Sequence, residues 1–223
     1  MIERVAFTSR TNQAIEGALA LPPGAGQAPG VVLLQEWWGV NDQIQSVAQR
    51  LAAEGFVVVV PDLYRGKLAR DAAEASALMN ALDWPRAMDD IAGAVAYLKT
   101  HPRCTGKVAA MGFCMGGALT FATACQVRGL CAAVPFYGVP GPQEWSHVEA
   151  PVLAHFAAKD GWAKPEAAKD IQAKLRAAGK SMELHVYDAD HAFFNDRRPE
   201  VHDAAASQLA WERTLAFLRQ HAA

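Results

Sequence analysis

A chain of 223 residues, 52% hydrophobic and 20% charged, has the size and balance of one folded domain, 1–223, with a substantial core. Its formal net charge of −2 gives no electrostatic case for binding nucleic acid or an anionic membrane, and no apolar run reaches membrane-spanning length. The start, Met1-Ile2-Glu3-Arg4-Val5, enters an alternating pattern without the regions of a cleaved signal, and Cys104, Cys114, Cys125 and Cys131 lack C-x-x-C spacing; a reduced, cytoplasmic, monomeric protein is expected.

In chain order, alternation over residues 4–9 and 14–21 predicts two antiparallel strands joined near Asn12. Residues 22–29, rich in Gly, Ala and Pro, read as a surface loop. Apolar runs at 31–34 and 56–60 predict buried parallel strands, with an amphipathic helix over 42–54 between them. Helices are expected over 70–82 and 84–101, the second with Pro85 in its first turn. A strand at 107–111 and a helix at 118–126 follow, then strands at 130–136 and 151–157, a helix at 165–178, a strand at 182–187 and a closing helix at 202–220. This alternation predicts an α/β fold, an open and mostly parallel central sheet with helices on both faces.

The segment Gly112-Phe113-Cys114-Met115-Gly116-Gly117 joins a strand-like run to a helix-like one, the context in which G-x-S-x-G marks a nucleophile elbow, here with cysteine in place of serine. Glycines flank such a turn because bulk there would meet neighbouring backbone. A helix opening at the cysteine directs N–H groups and positive dipole toward the sulfur, which favours the thiolate. A thiol nucleophile needs a base, and the base needs an orienting acid, in the chain order nucleophile, acid, histidine. Asp160 and His191 follow Cys114 in that order, each just past a predicted strand. Asp188 and Asp190 are rival acids, but their nearness to His191 in sequence argues for a shared loop, so Asp160 is preferred. Taken singly, a cysteine between glycines reads as a core thiol and a loop histidine as solvated. Three such residues, in order at successive strand ends, read as a site. His155 and His185 fall inside strands and read as structural; His101, His147, His202 and His221 read as surface residues, and the other three cysteines as core thiols.

An oxyanion would be held by the N–H of Met115 and by one from the loop Gln35-Glu36-Trp37-Trp38-Gly39. Glu36, among indoles at the same sheet edge, is expected to be desolvated, with a raised pKa that suits it to hold or exchange a proton.

Gln35-Glu36-Trp37-Trp38-Gly39-Val40-Asn41, Pro61-Asp62-Leu63-Tyr64, the Cys114 elbow, Phe136-Tyr137-Gly138, Asp160-Gly161-Trp162 and His191-Ala192-Phe193 together resemble the dienelactone hydrolase family of α/β-hydrolases. The resemblance implies a triad of Cys114, Asp160 and His191, with Glu36 taking part in thiol activation and the N–H groups of Trp37 and Met115 as oxyanion donors. It implies a small-molecule ester or lactone substrate, opened through an acyl-enzyme with no metal or organic cofactor; the family's model reaction belongs to aromatic-compound degradation. Trp38, Tyr137 and Trp162 are candidate pocket residues. The chain departs from the pattern where a substrate carboxylate would be held: Asn195 stands where an arginine is expected, and the helix after Tyr64 lacks the family's second one. Arg197, Arg198 or Arg65 are the possible replacements. The rival readings are a broad carboxylesterase or thioesterase without lactone preference, and a non-catalytic, redox-sensing thiol protein.

Overall fold

The computed structural model describes residues 2–222. The chain opens with an antiparallel pair, β1 (Ile2–Thr8) and β2 (Ala14–Ala20), then β3 (Ala28–Leu34), α1 (Asp42–Ala53) and β4 (Val57–Pro61). Next come α2 (Ala72–Asn80), α3 (Trp84–Thr100), β5 (Cys104–Phe113), α4 (Met115–Gln126) and β6 (Ala132–Phe136). The chain ends with β7 (Val152–Ala157), α5 (Pro165–Ala177), β8 (Met182–Tyr187) and α6 (Ala204–Ala222). The strands form one eight-stranded sheet in the order β1-β2-β4-β3-β5-β6-β7-β8. β1, β2 and β4 pair antiparallel; from β4 to β8 every pairing is parallel.

The parallel strands are apolar at nearly every position because both faces are covered. Val31, Leu33, Val58 and Val60 face a core shared with Ile44, Val47 and Leu51 of α1 and Trp211, Leu215 and Leu218 of α6. The alternate residues Val32, Leu34, Val57 and Val59 face Ile91, Val95 and Leu98 of α3. Leu98 has no exposed surface, so truncating it to alanine would cost about 2–5 kcal/mol. Capping follows the sequence. Asn41, Asp71 and Asp83 each accept an N–H from the first turn of α1, α2 and α3, which fixes where these helices begin.

Several boundaries differ from expectation by two or three residues, and two of these bear on how the sheet and the elbow are built. β3 begins at Ala28, inside the Gly/Pro-rich stretch, because the Ala28 N–H donates to the Arg103 carbonyl and the Arg103 guanidinium donates to the carbonyls of Pro22 and Gly26. α4 begins at Met115, three residues before the expected start, so the elbow residue itself sits at the helix N-cap. Among the described residues no helix is long and apolar enough to cross a membrane.

Candidate active site

Each candidate residue lies past the carboxyl end of a parallel strand: Glu36 after β3, Cys114 after β5, Tyr137 after β6, Asp160 after β7 and His191 after β8. Loops from neighbouring strands therefore converge on one edge.

Cys114 has φ 56° and ψ −115°, a backbone conformation that costs a non-glycine residue about 1–3 kcal/mol. The surroundings impose it. The Cys114 N–H donates to the Phe136 carbonyl at 3.1 Å, and the Cys114 carbonyl accepts from Ala118 at 3.1 Å. The glycines answer to sterics: a Cβ on Gly112 would strike the Gly116 carbonyl, and one on Gly116 the carbonyls of Leu34 and Gln35. Burial pushes the Cys114 thiol well up, and the Glu36 carboxylate pushes it further; the N–H groups of Met115 and Trp37 act in the opposite sense, favouring the anion. The thiolate preference expected from the helix N-terminus is thus outweighed by burial and by Glu36, which together raise the thiol.

Asp160 and His191 are joined, with Nδ1 2.6 Å from Oδ2. The other oxygen, Oδ1, accepts the N–H groups of Trp162 and Ala163 at 2.7 and 2.8 Å. Burial raises this carboxyl, but the bond and charge of His191 and the two N–H groups outweigh it and hold Asp160 below the ordinary carboxylate value. The imidazole is held between Tyr137 and Trp162, with ring centroids at 5.1 and 5.5 Å. With Nδ1 committed, Nε2 is the nitrogen available to the cavity. The rival acids stand apart: Asp188 and Asp190 are exposed, and Asp188 pairs with Lys159 at 3.0 Å.

Glu36 is buried, as expected, but its partners are Asn195 and Tyr137 rather than the tryptophans. Asn195 Nδ2 donates to Oε2 at 2.8 Å and the Tyr137 hydroxyl to Oε1 at 3.3 Å. Burial raises the Glu36 carboxyl, and Asn195, His191, Tyr137 and Arg198 each offset part of the rise.

Two cavities meet at Cys114. One of about 400 Å³ is lined by Glu36, Trp37, Asp160, Trp162, His191 and Arg198 among others. The second, about 310 Å³, lies toward the α2–α3 turn. Of the sequence-derived pocket residues, Tyr137 and Trp162 line a cavity, whereas Trp38 lines neither and packs against Trp37 and Arg198. Arg198 reaches the larger cavity, and its Nε also bonds Glu200 at 2.9 Å. Arg197 lines neither cavity: its side chain is 60% exposed beside Asp196. Arg65 is paired with Asp90 of α3 and lines neither cavity. Cys104 and Cys125 are buried and Cys131 is half-buried, and none lines these cavities. His101, His202 and His221, expected at the surface, are half-buried, His202 with Nδ1 on the Phe193 carbonyl at 3.0 Å. Sequence reasoning read Asn195 only as a missing arginine and missed its role as partner of Glu36; it also missed Met79, Trp84 and Val139 in the second cavity, which belong to no motif that could have signalled them. Among the described residues no cluster of His, Cys, Asp and Glu is arranged to hold a metal ion.

This sheet order, with an elbow after its fifth strand and an acid and histidine after the last two, is that of an α/β-hydrolase. The chain belongs to the dienelactone hydrolase family, whose profile matches residues 15–222, and it is a hydrolase. Protein usf of Aquifex pyrophilus is 33% identical over 93% of this chain and 94% of its own. Carboxymethylenebutenolidase 1 of Cupriavidus pinatubonensis is 31% identical over 96% and 95%. Among solved structures, a dienelactone hydrolase-like promiscuous phosphotriesterase from metagenomic libraries superposes with a TM-score of 0.89 at 26% identity, covering 99% of this chain and 98% of that one.

Proposed function

We propose that this protein hydrolyses small esters or lactones through a covalent intermediate on Cys114, with His191 as base and acid and Asp160 holding His191. The observation that carries the reading is the joined Asp160–His191 pair opening into the same cavity as Cys114, at the N-terminus of α4. In acylation, Nε2 of His191 takes the thiol proton while the sulfur attacks the carbonyl carbon. The negative charge then moves to the carbonyl oxygen, where the N–H groups of Trp37 and Met115 are the donors at hand. The carbon–oxygen ester bond breaks, and the imidazolium returns its proton to the leaving oxygen. Water, deprotonated by the same imidazole, then cleaves the thioester and restores the thiol.

Glu36 gives the site an acid–base partner for the sulfur. Both groups are buried, and burial raises each; a charge on Glu36 raises the Cys114 thiol further, so the two titrations are coupled. The test is hydrolysis of p-nitrophenyl acetate with trapping of the acyl group. Cys114→Ala is expected to abolish turnover and acylation, and iodoacetamide at low equivalents to label Cys114 before Cys131. Turnover that survives Cys114→Ala would remove the nucleophile assignment.

A further inference from the structure

We infer that the substrate's acyl group is uncharged and apolar at its far end, seated in the smaller cavity, while the leaving group faces His191 and Arg198 in the larger one. The inference rests on the acyl-enzyme reading above and specifies its substrate class.

Cys114 is common to both cavities, so the two arms of an ester whose carbonyl carbon is bonded to sulfur divide between them. His191 lines only the larger cavity. The leaving oxygen must collect its proton from that imidazole, so the leaving group belongs on that side. The acyl arm is left the cavity of about 310 Å³.

That cavity is lined by no Asp, Glu, Lys, Arg or His. Its polar side chains are Asn80 and Tyr137, and the Tyr137 hydroxyl is committed to Glu36. A carboxylate placed there would lose water and gain no cation. The rim adds an independent observation. Among the described residues only six large hydrophobic side chains are exposed, and three of them, Trp84 (40%), Val139 (38%) and Trp162 (57%), line this cavity, Trp162 being shared with the larger one. They come from the first turn of α3 and from the loops after β6 and β7, and they give the mouth of the cavity an apolar rim. Among the described residues the one arginine or lysine lining either cavity is Arg198, on the leaving-group side. The larger cavity thus offers a cation that the smaller one lacks, beside the carboxylates of Glu36 and Asp160.

The experiment compares kcat/KM for p-nitrophenyl acetate, butyrate and hexanoate, and for the p-nitrophenyl monoester of succinate, whose acyl arm ends in a carboxylate. The expected rise is up to about fourfold per buried methylene, with the succinate ester about tenfold or more below butyrate. Val139→Trp, which fills the rim, is expected to lower the hexanoate-to-acetate ratio about tenfold, and Arg198→Gln to leave that ratio as it was. A flat acyl series in the parent protein, succinate at par with butyrate, or a ratio shifted by Arg198→Gln and not by Val139→Trp would overturn the inference. If Val139→Trp does not fold, the parent series and Arg198→Gln decide. Absence of acyl transfer to Cys114 from every ester would instead remove the catalytic reading, and the inference with it.

Discussion

Replacing Asp160 by asparagine tests the triad at the point where the geometry leaves least freedom. Oδ1 of Asp160 accepts two backbone N–H groups at 2.7 and 2.8 Å, so the asparagine oxygen must occupy that place. Its NH₂ group then stands where Oδ2 now lies 2.6 Å from His191 Nδ1. A donor there requires Nδ1 to accept, which moves the imidazole proton to Nε2, the nitrogen needed to take the thiol proton. Losing the charge-assisted bond to the imidazolium alone is worth about 1.5–3 kcal/mol, roughly tenfold to a hundredfold in rate. The wrong tautomer adds to this; in a serine triad the same exchange costs about 10⁴-fold. A fall in kcat of about 10³-fold or more at neutral pH is expected with p-nitrophenyl acetate, with the acylation burst slowed to match. The side chains are nearly isosteric, so the thermal midpoint is expected to move by only a few degrees. A folded variant that loses less than tenfold would refute the claim that Asp160 fixes the working tautomer.

Glu36→Gln removes the carboxylate that raises the Cys114 thiol, so the midpoint of iodoacetamide alkylation against pH is expected to move down; a midpoint that stays or rises would count against this coupling. His155 is fully buried and neutral, bonded to Tyr187 and Thr214 at 2.8 and 3.1 Å. Its pKa is held well below 6.5 by burial, then by His185 and the Arg213 guanidinium. The unfolded chain binds the proton first, so stability is complete above about pH 6.5 and is lost as pH falls from there toward the folded pKa. The thermal midpoint should fall across that window, and His155→Asn should flatten the slope; an unaltered slope would clear His155. Gly116→Ala drives a Cβ into the Leu34 and Gln35 carbonyls, and urea unfolding should show a loss of about 3 kcal/mol or more. A loss under about 0.5 kcal/mol would mean the elbow relaxes without strain.

The alternation of apolar runs with capped amphipathic stretches determined the order of strands and helices, since both signals are local. Asn41, Asp71 and Asp83 cap the helices they precede, and the valines of β4 are buried on both faces as their unbroken run implies. The elbow, Asp160 and His191 were legible too, because a strained turn needs glycines at fixed offsets and strand ends mark where loops converge. The boundary of β3 was not, because Arg103, distant in sequence, draws Ala28 into the sheet.

Which acid serves His191 was a matter of preference in the sequence and of geometry in the fold. Asp160 meets the imidazole from the adjacent strand end, while Asp188 turns to Lys159 in solvent. Asn195, which reads as a missing arginine, gains its role only when the loop after β8 folds onto Glu36. The uncharged cavity is likewise a product of tertiary structure. Met79, Trp84, Val139 and Trp162 lie on separate elements with no shared motif, and only packing brings them around one sulfur. Sequence alone marked Cys114, Asp160 and His191 as candidates for the proposed chemistry, through constraints that span a few neighbours. The shape and charge of the space around them depend on contacts between distant segments, and the tertiary structure decided those.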